Sequence, residues 1–221
     1  MEKIKNNKLL IIITCLLTLT PLLVALIMWD KLPDQIPMHW NVNGEVDGYG
    51  SKTMALIGLP LILVAAQGLC IFAMVTDPKR QGISEGAFRM VLLIIPVISM
   101  ICTYLETAFA LGKEISVNKV MMILMGVLFL FIGNYLPKSR RNYTMGIKIP
   151  WALNSDDNWN ATHRVGGIVY MAIGAICLIM AFIPGLSDKV FWLFFTVMMV
   201  GSTIPVAYSY IYYLKNEKDK E

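Results

Sequence analysis

The sequence predicts an all-α membrane protein, a bundle of six transmembrane helices with one structured outer loop and one structured inner loop. Of its 221 residues, 57% are hydrophobic and only 15% are charged, and the mean hydropathy is +0.62. An ordinary soluble domain is less apolar and more highly charged. Six apolar runs are each close to the length that crosses a bilayer as a helix. These observations exclude the class of water-soluble proteins.

The predicted spans cover residues 9–29, 54–75, 90–111, 120–136, 165–183 and 190–213. The first follows three lysines, as a signal peptide would, but its apolar run is too long and no small-residue cleavage site follows it. We therefore expect it to stay as a membrane anchor. Four spans contain an internal proline, which is expected to kink the helix: Pro21, Pro60, Pro96 and Pro205.

Two connecting segments are long, and we call residues 30–53 loop A and residues 137–164 loop B. Around them the sequence predicts two units. Residues 1–89 form a two-helix unit that carries the Pro- and Gly-rich loop A, and residues 90–221 form a four-helix unit that carries loop B. No internal repeat is evident, so the inverted-repeat type of transporter is not favoured.

Basic residues set the predicted orientation. With the N-terminus in the cytoplasm, 14 of the 19 lysines and arginines fall in inner segments and 5 in outer ones. Positive charge accumulates on the cytoplasmic side of membrane proteins. The sequence therefore predicts a multi-pass protein of the cell membrane with both termini cytoplasmic. The net charge of +4 serves orientation and predicts no direct nucleic-acid partner.

The cysteines and histidines do not suggest a metal site. All four cysteines lie in apolar runs and none forms a C-x-x-C pair. The only two histidines, His39 and His163, are predicted on opposite faces of the membrane. Tetrahedral zinc sites need several such ligands in one place. We expect neither a metal nor a cofactor.

Loop A has the composition of a folded cap. Pro33 and Pro37 favour extended backbone, and Asn43-Gly44 is typical of a tight hairpin turn. The polar and aromatic residues in and beside this turn are candidates to face a ligand: His39, Trp40, Asn41 and Asp47. For His39 and Trp40 the alternative is membrane anchoring, since Trp favours the headgroup region.

Glu106 is the one ionisable residue inside a predicted span. It lies about five residues, or roughly 7 to 8 Å of helix, below the outer boundary and thus beneath loop A. A carboxyl group inside a membrane is costly unless it is paired, protonated or hydrated, so Glu106 joins the ligand-facing candidates. The alternative is an interfacial residue paired with Lys52 or Lys119.

Loop B leads into the fifth span through a predicted helix cap. Ser155 followed by Asp156 and Asp157 is typical of a helix start. From there one helical stripe is predicted, whose glycines would let another helix approach closely: Trp159, His163, Gly167, Tyr170 and Gly174. The basic cluster Arg140, Arg141 and Lys148 is either a protein-docking surface or a site of attraction to anionic membrane lipid.

Together the two loops resemble the SdpI family of bacterial immunity membrane proteins. Residues 32–41 with Gly44 and Asp47 look like the N-terminal domain of unknown function found in that family. The C-terminal signature is carried by Asn134, Asn142, Gly146, Lys148, Pro150, Trp151, Trp159, His163 and Arg164. The sequence departs from the usual signature at Lys148-Ile149, where Arg-Thr is commoner, and at Ala152, where a hydroxyl residue is commoner.

The resemblance implies a membrane protein that gives immunity to a secreted toxic peptide and that holds a cytoplasmic transcriptional repressor at the membrane. It assigns no catalytic residue. An alternative is a membrane-embedded enzyme in which His163 and Asp156 or Asp157 perform acid-base chemistry. No nucleophile or metal motif accompanies these residues. A transporter is a third class, with Glu106 as its only intramembrane charge.

Overall fold

The computed structural model describes residues 2–183 and 190–218, and this part of the chain is mainly helical. The helices are α1 Glu2–Asn6, α2 Lys8–Thr18, α3 Thr20–Met28, α4 Leu59–Thr76, α5 Glu85–Ala110, α6 Val117–Tyr135, α7 Pro150–Asn154, α8 Asp156–Ala181 and α9 Val190–Asn216. Two strands, β1 Gln35–Trp40 and β2 Val46–Ser51, form a small sheet. Lys189 and Lys220, which enter the predicted charge asymmetry, lie outside the described residues.

Six helical segments among the described residues are long and apolar enough to cross a membrane: Lys8–Lys31, Met54–Thr76, Glu85–Ala110, Val117–Lys138, Asp156–Ala181 and Trp192–Asn216. Each overlaps a predicted span. The prediction of a six-helix multi-pass membrane protein is confirmed, and the two-stranded sheet is the only strand structure in the described chain.

Prolines affect the spans in different ways. The first span breaks at Leu19, which is not helical, and α3 restarts with Pro21 in its first turn. That position suits proline because its missing N–H would have no partner there. Pro96 and Pro205 instead lie within the continuous helices α5 and α9.

Loop A folds as the predicted hairpin. Strands β1 and β2 pair antiparallel, with irregular register between Pro37 and Trp40. In the turn, the backbone N–H of Gly44 donates to the Asn41 carbonyl at 2.9 Å, and Gly44 has φ of +82°. Glycine adopts this left-handed conformation without steric cost.

Contacts divide the chain into two compact units. The first comprises residues 1–76 and 85–117, and the second comprises residues 77–84 and 118–221. Helix α5 therefore belongs with helices α1 to α4 and with loop A. The short segment 77–84, which follows α4, belongs with loop B and with the last helices.

A buried polar cluster joins three helices of the first unit. The Gln67 amide donates to the Thr14 hydroxyl at 2.7 Å, and the Thr18 hydroxyl donates to the Gln67 side-chain oxygen at 3.3 Å. Ser99 on α5 donates to the Thr18 carbonyl at 2.8 Å. Such hydrogen bonds between helices satisfy polar groups that lipid cannot solvate.

Glycines let α6 and α8 approach closely in the second unit. A Cβ on Gly133 would lie 2.8 Å from the Gly167 carbonyl oxygen, and one on Gly174 would lie 2.7 Å from the Gly126 carbonyl oxygen. These distances exclude any side chain there without displacement. The close approach expected at Gly167 and Gly174 is observed, and it fixes the helix from which His163 and Trp159 project.

Candidate functional site

The hairpin of loop A brings His39 and Asp47 together. His39 Nδ1 lies 2.6 Å from Asp47 Oδ1, and the two side chains are 72% and 43% exposed. Asn41 instead shapes the turn, because its Oδ1 accepts hydrogen bonds from the backbone N–H groups of Asn43 and Glu45. The hairpin thus presents an exposed His-Asp pair on a structured base.

The hairpin is held in the first unit by apolar side chains and by one lysine. Ile36 and Leu32 are 0% and 4% exposed. Lys52 forms an ion pair with Asp34 at 3.0 Å and donates to the Trp29 carbonyl at 3.2 Å. Since the Lys52 ammonium is engaged here, the structure gives no support to its expected alternative pairing with Glu106.

Two buried polar groups of the first unit, on Trp40 and Glu106, have no hydrogen-bond partner among the described residues. Trp40 packs edge-on against Phe109 of α5, with ring centroids 5.5 Å apart, and its indole Nε1 is unpaired. Glu106 is 2% exposed and its Oε2 is unpaired. Glu106 and Phe109 are three residues apart on α5 and therefore share a helix face. One face of α5 thus carries the Glu106 carboxyl, which is an unpaired acceptor. The same face carries the Phe109 ring, which contacts Trp40 and its unpaired indole donor.

In loop B, Asn142 organises the backbone of residues 139–147. Its side chain is fully buried, and its Oδ1 accepts hydrogen bonds from the N–H groups of Thr144 and Met145 at 3.0 and 2.7 Å. Its Nδ2 donates to the Arg140 carbonyl at 2.8 Å. An Asn that satisfies its own neighbouring backbone in this way stabilises a turn.

Trp159 and His163 form the platform on which this turn rests. Their rings stack with centroids 3.9 Å apart, and both side chains are buried. Trp159 Nε1 donates to the Ser139 carbonyl at 2.9 Å, and His163 Nε2 accepts from the Ile147 N–H at 2.9 Å. Gly146 lies against both rings with φ of +114°, so only glycine fits there.

The same hydrogen bonds decide the role of His163. Because Nε2 accepts from the Ile147 N–H, the proton of the neutral ring lies on Nδ1, which donates to the Trp159 carbonyl at 2.8 Å. Both ring nitrogens are therefore used in holding backbone. Asp156 lies 2.7 Å from Arg141 Nε rather than on His163. The arrangement gives no support to acid-base catalysis by His163 with Asp156 or Asp157.

Asp77, which the sequence analysis did not single out, connects segment 77–84 to loop B. Its Oδ2 accepts from the Tyr143 N–H at 2.9 Å and from the Thr144 hydroxyl at 2.6 Å, and its Oδ1 accepts from the Lys79 N–H at 2.7 Å. Burial raises the pKa of this carboxyl, but these hydrogen bonds outweigh burial and hold its pKa below the ordinary value. In the sequence, Asp77-Pro78 directly follows a span. This pair indicates a turn but does not predict the hydrogen bond with Thr144.

Further contacts join loop B to the last helices. Ser155 caps α8 as expected, accepting from the Asn158 N–H at 3.2 Å. Asn158, also missed from the sequence, is fully buried and donates to the Ser209 carbonyl at 3.1 Å. Trp151 on α7 contacts Tyr210 on α9, with centroids 4.8 Å apart. Loop B therefore has a fixed surface.

The side chains of the remaining predicted residues are not buried with Asn142, Trp159 and His163. Asn134, Arg140, Lys148, Pro150 and Arg164 are exposed. Asn134 accepts from Lys138 at 2.9 Å, and Lys148 donates to the Thr144 carbonyl at 3.2 Å. Within the described part of the chain, no group of three His, Cys, Asp or Glu side chains could hold a metal ion.

Comparisons with known proteins agree with this architecture. The profile of the SdpI/YfhL protein family matches residues 138–209, which contain most of loop B and the helices that hold it. The profile of a domain of unknown function, DUF1648, matches residues 16–64, which contain loop A. The immunity protein SdpI of Bacillus subtilis (strain 168) is 25% identical over 213 residues, covering 96% of this chain and 97% of that protein. No solved structure matches.

The fold and the two loops define a class, the multi-pass membrane proteins with six spans, a hairpin after the first span and a hydrogen-bonded turn after the fourth. Within this class the chain is similar to the SdpI/YfhL family at residues 138–209 and to the DUF1648 domain at residues 16–64.

Proposed function

We propose that the protein is a membrane immunity protein that protects the cell by binding a secreted toxic peptide at loop A, on the outer face. The match to the SdpI/YfhL family profile and the similarity to an immunity protein over nearly the whole chain support the general role. The position of loop A after the first span agrees with the outer face that the basic residues predict.

The observation that carries the proposal is the pair of unpaired polar groups at Glu106 and Trp40. A buried donor or acceptor without a partner costs about 1–3 kcal/mol. A peptide supplies both missing partners, because its carbonyl groups accept from an indole N–H and its N–H or ammonium groups donate to a carboxyl. Binding would therefore recover free energy that the unbound site lacks.

Glu106 is only 2% exposed, so a peptide reaches it only after the side chains that cover it move, and we infer that the hairpin moves with them. The irregular pairing between Pro37 and Trp40 makes this part of the sheet the easiest to displace. The exposed His39–Asp47 pair lies on the same hairpin and is placed to make the first contact with an arriving peptide.

Survival under a panel of secreted antimicrobial peptides tests the proposal, with membrane abundance measured in parallel. Glu106→Gln keeps the shape of the side chain, and Trp40→Phe keeps a ring while removing the N–H. Each should lower the protective peptide threshold by about tenfold, the effect of losing about 1.4 kcal/mol. Glu114→Gln, at an exposed acid beyond the end of α5, is the matched control and should protect fully. Full protection by both test variants at normal abundance would refute a ligand-binding role and leave Trp40 as a membrane anchor.

We further infer that loop B is the surface at which a cytoplasmic transcriptional repressor is held. Its fixed backbone and its exposed basic side chains, Arg140 and Lys148, support this inference. Arg141 is less suited to docking because it is paired with Asp156 and donates to the Leu153 carbonyl.

The double variant Arg140→Gln and Lys148→Gln should keep peptide resistance and lose recruitment of a repressor to membranes in a fractionation assay, since rim charges steer docking more than they stabilise a fold. Twelve of the fourteen inner basic residues would remain in this variant, so orientation should hold. Unchanged recruitment would refute the docking role. Equal loss of resistance and recruitment would indicate that loop B itself takes part in protection against the peptide.

A further inference from the structure

A basic cleft lies within the second unit, between segment 77–84 and loop B. Its volume is about 670 Å³, and its described lining includes Lys79, Arg80, Gly82, Arg140, Arg141 and Asp156. Two stretches of chain that are about sixty residues apart thus contribute to one concave surface. Most of the exposed lining is polar. The stacked Trp159 and His163 rings are not part of the lining of this cleft.

The charge of the cleft favours an anion. Its described lining carries four basic side chains and one carboxylate, and that carboxylate, on Asp156, is paired with Arg141 at 2.7 Å. The described lining therefore carries three more basic than acidic side chains. The Lys79 ammonium lies 5.2 Å from the centre of the Tyr143 ring, a contact that positions the cation without neutralising it.

The backbone around the cleft is fixed before any ligand binds. The Arg140 N–H donates to the Gly82 carbonyl at 3.2 Å, and a Cβ on Gly82 would lie 2.9 Å from the Arg140 carbonyl oxygen. Asp77 holds the Lys79 N–H on one side and the Tyr143 N–H on the other. A preformed arrangement of cations loses little conformational entropy when it binds an anion.

The cleft is close in sequence to the ends of three membrane spans. Arg80 follows the last residue of α4 by four positions, Arg140 follows the end of the fourth span at Lys138 by two, and Asp156 is the first residue of α8. These residues therefore lie at the level of lipid headgroups. Anionic headgroups are concentrated there, and arginine pairs with phosphate through two parallel hydrogen bonds.

We propose that this cleft binds the phosphate group of an anionic membrane lipid. Phosphatidylglycerol is the probe we choose, because it presents a phosphate diester of a single negative charge on a small headgroup. The bound lipid would join segment 77–84 to loop B, adding to the link made by Asp77. This proposal does not depend on peptide binding at loop A.

Native mass spectrometry of the purified full-length protein, titrated with phosphatidylglycerol or phosphatidylcholine in detergent, tests the proposal. The wild-type protein should retain one phosphatidylglycerol with at least about tenfold preference over phosphatidylcholine. The double variant Lys79→Gln and Arg80→Gln should lose this preference, and Arg140→Gln alone should weaken it, which keeps the test valid if the double variant does not fold. Lys138→Gln is the matched control, because Lys138 is an exposed basic residue of the same loop that does not line the cleft.

Three outcomes would overturn the proposal. Equal binding of the two lipids by the wild-type protein would show that the cleft does not select an anionic headgroup. An undiminished preference in the cleft variants would place the lipid elsewhere. Displacement of phosphatidylglycerol by soluble glycerol phosphate or by an acidic peptide at equal concentration would identify a cytoplasmic ligand instead of a lipid.

Discussion

Removing the charge of Asp77 should loosen loop B without disturbing the membrane spans. In Asp77→Asn, one of the two carboxylate oxygens becomes an NH₂ group. The remaining oxygen can serve either the Lys79 N–H or the pair formed by the Tyr143 N–H and the Thr144 hydroxyl, but not both sets. The Asp77 residue is only 3% exposed, so water does not readily replace the lost acceptor.

The structure sets the size of this effect. A hydrogen bond to a charged group contributes about 1.5–3 kcal/mol, and a buried donor left without a partner costs about 1–3 kcal/mol. Even if the new amide oxygen of the Asp77→Asn variant faces loop B, the hydrogen bond from the Lys79 N–H is lost. The hydrogen bonds from Tyr143 and Thr144 then reach an uncharged acceptor instead of a carboxylate. We expect local opening of residues 139–148 to become easier by about 2–4 kcal/mol, or roughly 30- to 1,000-fold in equilibrium constant.

Hydrogen exchange followed by mass spectrometry on the detergent-solubilised protein measures this opening directly. Peptides that cover residues 139–148 should lose protection by that factor in Asp77→Asn, while those from α4 and α8 should not change. Thr144→Val removes only one donor and should have a smaller effect. Asp157→Asn, at an exposed acid in the first turn of α8, is the control. Protection of residues 139–148 within about threefold of wild type would refute the reasoning.

The same carboxyl makes the stability of loop B depend on pH. The pKa of Asp77 is lower in the folded protein than its ordinary value of 3.8, so ionisation favours the folded loop. Its contribution is complete above that ordinary value and is lost as pH falls through the lowered pKa. Limited digestion by an acid protease should therefore show loop B intact at about pH 5 and cleaved faster below about pH 3.5. The Asp77→Asn variant should show less of this change.

Three further predictions concern the fold. Gly146→Ala should destabilise the protein by about 1–3 kcal/mol in thermal unfolding, because φ is +114° at that position, and an unchanged midpoint would contradict this. Gly133→Ala should also destabilise the protein, since its Cβ would lie 2.6 Å from a backbone nitrogen of α8. Gly68→Ala should be tolerated because its Cβ would meet nothing within 4 Å. Equal effects of the two substitutions on the unfolding midpoint would refute the close contact between α6 and α8. In a background without native cysteines, an impermeant thiol reagent should label a cysteine at Asn43 and not one at Ser139, and the reverse would overturn the orientation.

Much of the fold could be predicted because its causes are local. A run of some twenty apolar residues is stable as a membrane helix regardless of its neighbours, and this determines six spans. Asn43-Gly44 determines the hairpin turn for the same reason, since glycine alone supplies the left-handed backbone there. Ser155 and the two acids after it determine where α8 begins.

For the candidate site residues, too, the sequence gives the chemical type and the tertiary structure gives the contacts. The sequence identifies Glu106 as a lone carboxyl inside a span, but only the tertiary structure places it on the helix face that contacts Trp40 through Phe109. His163 has the chemistry of an acid-base catalyst in the sequence, and only the structure shows both of its ring nitrogens holding backbone.

The sequence by itself determined that this is a six-span membrane protein with two folded loops, because hydrophobic length and turn chemistry act over short stretches of chain. The tertiary structure decided that Asp77 holds Thr144, 67 residues away, and that Arg80 and Arg140 line one cleft. Contacts between distant segments depend on how helices pack against one another, and no local pattern of residues records that packing.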